Sequence, residues 1–353
     1  MRKGKRLIAW IMAVVMLFTI CVFGGNGTAE AAATTPVAKH GRLSVKGADL
    51  VDSKGNKFQL RGISTHGINW DVGSPYVNKK AFKTLRDDWG VNAIRLAMYT
   101  EEYNGYCSGG SQAKLRKLVD KGVGYATDLG MYAIIDWHIL SDGNPNKNKS
   151  QAKKFFTTMA KKYKNNKNVI YEICNEPNGC SWKEIKSYAT DIIKTIRKYD
   201  KKAVIIVGTP TWSQLGTDGT SNEVADSPIK GYKNIMYSLH FYASEWAHNE
   251  YLPAKAAYAR KKKLPIIVSE FGLSPASGDG AINKASADKW MKLLNKYNIS
   301  YFCWSLSNKN ESASLLKPST KKTSGWKSGD LSTAGKYIKK KYLARKKALG
   351  KKA

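Results

Sequence analysis

Apolar residues fall along this chain in a repeating order: a short β-rich run, a polar or glycine-containing loop, then a longer stretch with apolar positions three and four apart. The β-rich runs cover residues 60–64, 93–97, 132–137, 169–174, 204–207, 235–239, 266–269 and 299–304, eight in all. Helical spacing covers 79–89, 112–129, 151–163, 182–199, 254–262, 285–297 and 331–341. Eight β runs separated by crossovers of this length predict parallel strands with intervening helices, closed economically into a (β/α)8 TIM barrel. An open doubly wound sheet would announce itself with a glycine-rich phosphate turn after its first strand, and Gly62 to Gly67 does not fit that fingerprint.

Ahead of the first run, residues 43–47 and 57–60 flank turn chemistry at Asp52, Ser53, Lys54, Gly55 and Asn56, which predicts a small β-hairpin before the barrel. Further upstream, Arg2, Lys3, Lys5 and Arg6 precede an apolar stretch at 7–23 and then Ala29, Ala31, Ala32 and Ala33. That order reads as a secretory signal peptide over 1–33, removed to leave a secreted, extracellular protein with no membrane span. Residues 34–344 then form a single catalytic domain, and 345–353 read as a basic, disordered C-terminal tail. No proline- or serine-rich linker marks off a second domain.

The formal net charge of +32 at pH 7 is extreme. By itself it suggests a polyanion such as nucleic acid, but the excess is lysine spread over helix faces, as at Lys153 and Lys154 or Lys201 and Lys202. No RNA-binding or helix-turn-helix pattern accompanies it, so the expectation is a solvated basic surface, no nucleic-acid partner and a monomer, with attraction to an anionic cell-wall polymer left open. Beyond the leader the four cysteines, Cys107, Cys174, Cys180 and Cys303, are too few and too irregularly spaced for a disulfide framework or a zinc site. One disulfide remains open.

In a barrel of this kind the functional groups cluster at the C-terminal ends of the strands. Following the runs in order, these are His66 with Trp70, then Tyr99, His138, Asn175 with Glu176, His240 with Tyr242, Glu270 and Trp304, while Arg95 lies within the second run. Carboxylates after the fourth and seventh runs would face each other across the mouth, as cleavage of a glycosidic bond requires: one protonated to release the leaving oxygen, the other ionised to attack the anomeric carbon. Asn175 can donate to a sugar 2-hydroxyl, and Arg95 with Tyr242 can orient Glu270. Trp70, Tyr99, Trp212, Trp246 and Trp304 offer apolar faces for sugar rings, whereas Trp89, Trp182 and Trp290 sit on helical patterns and read as structural.

The strings Arg61-Gly62-Ile63-Ser64-Thr65-His66-Gly67-Ile68-Asn69-Trp70, Ile134-Ile135-Asp136-Trp137-His138, Ile170-Tyr171-Glu172-Ile173-Cys174-Asn175-Glu176-Pro177 and His240-Phe241-Tyr242 closely resemble glycoside hydrolase family 5, and within it the bacterial endoglucanases. The resemblance runs from about Gly41 to Lys341. It implies endo-acting, retaining hydrolysis of β-1,4-glucan without a cofactor, with Glu176 as acid/base and Glu270 as nucleophile. By the same resemblance Arg95, His138, Asn175, His240 and Tyr242 support the pair, and His66, Trp70, Tyr99, Trp304 and Lys309 line sugar subsites. Departures lie at Phe271, where the group commonly has Trp, and in the stretches 214–224 and 244–249.

Two rivals are weighed. His66, His138, His240 and Asp136 could be imagined as ligands of a metal hydrolase, but the His-x-His pair usual near the first strand is missing, so no metal is expected. An inactive carbohydrate-binding protein on the same scaffold is permitted by fold alone. Both carboxylates and their partners are present, which favours the enzyme. β-Mannan, xyloglucan and mixed-linkage glucan stay open beside cellulose as substrates.

Overall fold

Successive side chains on a strand point to opposite faces of the sheet, and here both faces are covered. On Ala93–Tyr99, Ile94, Leu96 and Met98 join the apolar layer between sheet and helices. Ala93, Ala97 and Tyr99 belong to the barrel interior. The structure is a computed structural model that describes residues 34–350; the leader expected over 1–33 lies outside them.

A helical turn α1 (Pro36–His40) leads into a hairpin, β1 (Ser44–Lys46) and β2 (Asp49–Val51). The barrel strands are β3 (Arg61–Thr65), β4 (Ala93–Tyr99), β5 (Tyr132–His138), β6 (Val169–Glu172), β7 (Ile205–Val207), β8 (Ile235–Ser238), β10 (Ile266–Gly272) and β11 (Tyr301–Leu306), with a short β9 (Phe241–Tyr242) pairing the upper end of β10. All barrel pairings are parallel, in the order β11-β3-β4-β5-β6-β7-β8-β10, and β10 with β11 closes the ring. Every expected run is one of these strands. Between them run α2 (Lys79–Trp89), α3 (Gln112–Asp128), α4 (Lys149–Tyr163), α5 (Trp182–Arg197), the short α6 (Pro210–Ser213) and α7 (Glu223–Asp226), α8 (Trp246–Lys261), α9 (Lys284–Lys296) and α10 (Thr333–Gly350). Their boundaries have local causes: Asn78 caps the start of α2 and left-handed Gly90 ends it, while Ser181 and Glu184 form a reciprocal capping box on α5.

Three details differ from the sequence reading. The hairpin turns at Gly47 (φ +59°) and pairs 44–46 with 49–51; residues near Lys57 only bridge back to Val51. Helix α8 begins at Trp246 instead of 254, with Pro253 inside it, because its first turns lack an apolar stripe for a sequence reading to detect. The basic segment from Arg345 continues α10 as far as Gly350, since Tyr342 donates to the Gly62 carbonyl (2.9 Å) and Arg345 to Gln59 Oε1 (2.9 Å), tying the helix to the base of β3. The four cysteines among the described residues are free, so the disulfide that the sequence left open is not formed between them.

The lower half of the barrel interior is an apolar plug of Leu60, Ile134, Ile170, Ile206, Met236, Ile267 and Phe302. Trp89, Trp182 and Trp290 are buried in the outer layer, as their helical positions imply. Gly62 pairs with Phe302 in register, and a Cβ there would come within 1.9 Å of the Phe302 ring. Replacing Gly62 by Ala should therefore cost roughly 1–3 kcal/mol of stability through overpacking. A thermal unfolding midpoint unchanged from the parent would contradict this account of the plug.

Candidate active site

Above the apolar plug the inward positions turn polar. Arg95 on β4 is fully buried, with Nε 2.7 Å from Glu172 Oε2, Nη1 2.9 Å from Glu270 Oε2, and Nη2 2.6 Å from Asn175 Oδ1 and 3.1 Å from Asp136 Oδ2. Burial disfavours its charge, yet Asp136, Glu172 and Glu270 together hold it well above the usual arginine value. One guanidinium thus organises groups from β5, β6 and β10 and from the loop after β6.

Glu270 has a second donor, the Tyr242 hydroxyl at 2.7 Å from Oε1. Its inward position depends on the register shift between Val268 and Phe271, where β10 holds an extra residue against β11. Such a bulge turns two neighbouring side chains the same way: Val268 and Phe271 pack in the outer layer, while both Ser269 and Glu270 reach interior groups.

Glu176 is held differently. His240 Nδ1 lies 2.8 Å from its Oε1, and His240 Nε2 lies 2.8 Å from Ser269 Oγ, which is 3.1 Å from Ser238 Oγ. Burial pushes the Glu176 carboxyl up to about 8, and the Asp136 and Glu172 carboxylates add to the rise against the opposing Arg95. Burial also brings His240 down to about 4, so a neutral ring faces a protonated carboxyl at neutral pH. Asp136 is raised by burial to about 7. His138, driven well down by burial, sets Nδ1 against Asp136 (2.6 Å) and Nε2 against Asn175 Nδ2 (3.2 Å). The second Asn175 amide proton goes to the Ile139 carbonyl (3.1 Å), so a contact with a sugar hydroxyl would have to share a donor already engaged.

Oxygens of Glu176 and Glu270 and a His240 nitrogen lie within 4.8 Å of one another. This is the one cluster of ligand-type atoms so close among the described residues, and its groups are engaged with Arg95, Tyr242 and Ser269. The histidines weighed as metal ligands are likewise committed: His138 as above, and His66 by accepting from the Gly67 amide (2.8 Å) and facing Glu311 Oε1 at 3.7 Å.

A cavity of about 560 Å³ opens over the pair. Its lining includes His66, Trp70, Tyr99, His138, Glu176, His240, Tyr242, Glu270, Trp304 and Lys309, so the structure brings together the predicted residues, with Arg95 and Asn175 beneath them. Trp304 stacks on His138 (centroids 5.3 Å, 19°), and Trp70 lies 4.6 Å from Tyr99. Trp212, expected as a platform, also lines it, half-exposed on a left-handed turn at Thr211, Trp212 and Ser213. Trp246 is exposed at the start of α8 and does not line the cavity. Sequence reasoning missed Glu172 and Ser269, which lie within β6 and β10 before the expected tips, and, in the cavity lining, Glu102, Gln214, Glu245 and Glu311 on loops and His248 in the first turn of α8, which carry no periodic signal.

A barrel whose mouth holds two carboxyls with oxygens within 4.8 Å of each other, one kept protonated and the other gripped by Arg95 and Tyr242, fits a glycoside hydrolase of the retaining kind, which needs ~5–5.5 Å between carboxyl groups, and not the ~6.5–9.5 Å of inverting enzymes. The profile of the cellulase family (glycosyl hydrolase family 5) matches residues 51–310, and the chain belongs to that family. It is 47% identical over 341 residues to an endoglucanase of Clostridium saccharobutylicum, covering 95% of this chain and 72% of that protein. It is 44% identical to endoglucanase 5 of Pectobacterium carotovorum, covering 92% of this chain and 62% of the other. Among solved structures, the catalytic domain of Thermobifida fusca endoglucanase Cel5A superposes with a TM-score of 0.80 at 37% identity, covering 88% of this chain and all of that domain.

With Glu176 protonated, its hydroxyl donates to His240 Nδ1, which leaves the ring proton on Nε2 to donate to Ser269 Oγ. Ser269→Ala removes that acceptor and releases the tautomer that donates to ionised Glu176. A hydrogen bond worth about 0.5–1.5 kcal/mol corresponds to a fall of roughly 0.5–1 unit in the pH at which Glu176 ionises. Difference infrared titration of the carboxyl band, with Glu176→Gln as the blank, reads it; an unmoved midpoint would remove Ser269 from the account.

Proposed function

We propose that the protein is a retaining endo-β-1,4-glucanase that hydrolyses internal bonds of cellulose and related β-glucans by double displacement. The observation that carries this reading is the opposed environments of two carboxyls within 4.8 Å: neutral His240 beside Glu176, and Arg95 with Tyr242 on Glu270. Glu176 protonates the glycosidic oxygen while a Glu270 oxygen attacks the anomeric carbon, so the C–O bond to the leaving chain breaks as the glycosyl ester forms. Glu176, now ionised, takes a proton from water, whose oxygen displaces Glu270 and regenerates both groups. Arg95 positions Glu270 and Asn175; His138 orients Asn175; His240 holds the Glu176 proton.

An internal site on a polymer needs a groove that crosses the mouth. Supporting that, the lining comes from opposite arcs: His66, Trp70, Tyr99, Trp304 and Lys309 follow β3, β4 and β11, while Trp212, Gln214 and His248 follow β7 or belong to α8. The endoglucanase names of the relatives support the glucan assignment, and the Thermobifida fusca enzyme has been solved with cellotetraose. The proposal includes the extracellular location, the leader over 1–33, the catalytic domain over 34–344 and a monomeric state. No helix among the described residues is long and apolar enough to cross a membrane.

Viscosity loss against reducing-end release on carboxymethylcellulose, beside β-mannan and mixed-linkage glucan, tests the substrate. Rapid thinning of the cellulose derivative is expected, and cleavage of mannan alone would overturn the glucan assignment. Glu176→Gln should lower kcat on polymer roughly 10²–10⁴-fold, yet still release a good aryl leaving group in a burst, because the first step then needs no acid and the second lacks its base. Glu270→Gln should show no burst; one there would reverse the two roles. With Glu176 required protonated, kcat/KM should fall as pH rises through about 8, and full activity two units higher would contradict its role as the acid.

A further inference from the structure

We propose that the closed end of the barrel is a docking face for a linear phosphodiester polyanion, centred on a cavity between the loops that precede β6 and β7. Four loops on that face, residues 161–167, 194–202, 230–233 and 260–263, lead into β6, β7, β8 and β10, which are adjacent in the barrel. They hold fifteen lysines and arginines against one carboxylate, Asp200. Asp200 is buried, and thirteen of the fifteen, all lysines, are exposed. Of these, Lys162 and Lys262 have a carboxylate within 4 Å, and the others have none among the described residues.

Helix C-termini attract lysines into their last turn, which accounts for Lys161, Lys194 and Lys261. It does not account for Lys167, Lys201, Lys202 or Lys233, which lie beyond the helix ends and their caps. Like charges gathered this closely repel, and beyond Asp200 the counter-charges within 4 Å of these loop residues, among the described residues, are Asp120 on Lys162, Asp226 on Lys262 and Asp49 on Arg260. The cavity at its centre, about 560 Å³, is lined by Arg42, Lys164, Lys167, Lys201 and Lys202, with Asp200 among them. Arg42 Nη1 is buried there with no hydrogen-bond partner and stands 3.8 Å from Asp200.

The choice of phosphodiester over carboxylate follows from the kind of cation. Arginine forks match flat carboxylates, whereas lysines act as point charges that can meet a tetrahedral phosphate from several loops at once. The two arginines within the four loops are spent internally, Arg197 on the carbonyls of Asp200, Ala203 and Lys233, and Arg260 on Ala48 and Asp49. The catalytic mouth is acidic on balance, with Glu102, Glu245, Glu270 and Glu311 around it against Lys309. A polyanion is therefore drawn to the base and repelled from the cleft, holding the protein with its mouth free for substrate.

Affinity electrophoresis of the purified protein through poly(glycerol phosphate), single-stranded DNA and polygalacturonate tests this. Both phosphodiester polymers should retard it, with affinity falling tenfold or more between about 50 and 200 mM salt, and polygalacturonate at matched charge density should bind at least tenfold more weakly. Retention by poly(glycerol phosphate) alone also supports the site, whereas retention by single-stranded DNA alone would overturn it in favour of a nucleic-acid surface. The variant Lys164→Gln/Lys167→Gln/Lys201→Gln/Lys202→Gln should lose at least tenfold in affinity. A control with the same charge removed elsewhere, Lys114→Gln/Lys117→Gln/Lys121→Gln/Lys284→Gln, should lose less than about twofold. Hydrolysis of a soluble glucan should be unchanged in both, which separates this face from the cleft. Equal losses in the two variants would reduce the effect to net charge and overturn the site, and equal binding to polygalacturonate would overturn the phosphodiester assignment.

Discussion

The site depends on one buried cation. Arg95 carries a guanidinium into the polar layer of the barrel, and Asp136, Glu172 and Glu270 all lie within 3.1 Å of it. Taking an arginine out of water is costly unless its donors are paired, so each of its three nitrogens is committed. The same pairing leaves too little positive charge for every carboxyl in the layer. Burial raises Asp136, Glu172 and Glu176 alike; Asp136 and Glu172 have Arg95 within 3.1 Å to oppose that rise, while Glu176, whose hydrogen-bond partner is the neutral His240 imidazole, keeps its proton at neutral pH.

That sorting is what makes a pair of like residues chemically unlike. A general acid must be protonated at the working pH and a nucleophile must not be. In the proposed roles, acid for Glu176 and nucleophile for Glu270, the distinction follows from position around the barrel: Glu270 stands over the guanidinium on a bulged strand, and Glu176 stands one loop away against His240. The chain Glu176, His240, Ser269 and Ser238 continues to Glu172 at 3.4 Å and thence to Arg95, so both carboxyls belong to one hydrogen-bonded network.

The molecule is also polarised along the barrel axis. Glu102, Glu245, Glu270 and Glu311 outnumber Lys309 in the lining of the mouth, and lysines crowd the loops at the base, far from the chemistry. An apolar plug of Ile134, Ile170, Ile206, Ile267 and Phe302 lies between the two ends and keeps water from joining them. Binding at the base and hydrolysis at the mouth can therefore be altered separately.

The sequence by itself determined the number and kind of elements and the identity of the chemical groups. Eight β-rich runs and the intervening helical spacing were legible because burial on both faces imposes local patterns, and Asn175-Glu176-Pro177, Glu270 and Arg95 stood at countable positions relative to those runs. Only the tertiary structure decided what those groups meet. The bulge that turns both Ser269 and Glu270 inward, the left-handed turn that presents Trp212, and the commitment of both Asn175 amide protons inside the protein leave no periodic trace. The same holds for the continuation of α10 past Arg345, which rests on Gln59 and Gly62, residues some 280 positions away along the chain. Local pattern reports burial; partners brought together by closure of the ring are set by the three-dimensional path, and the proton on Glu176 is decided by those partners.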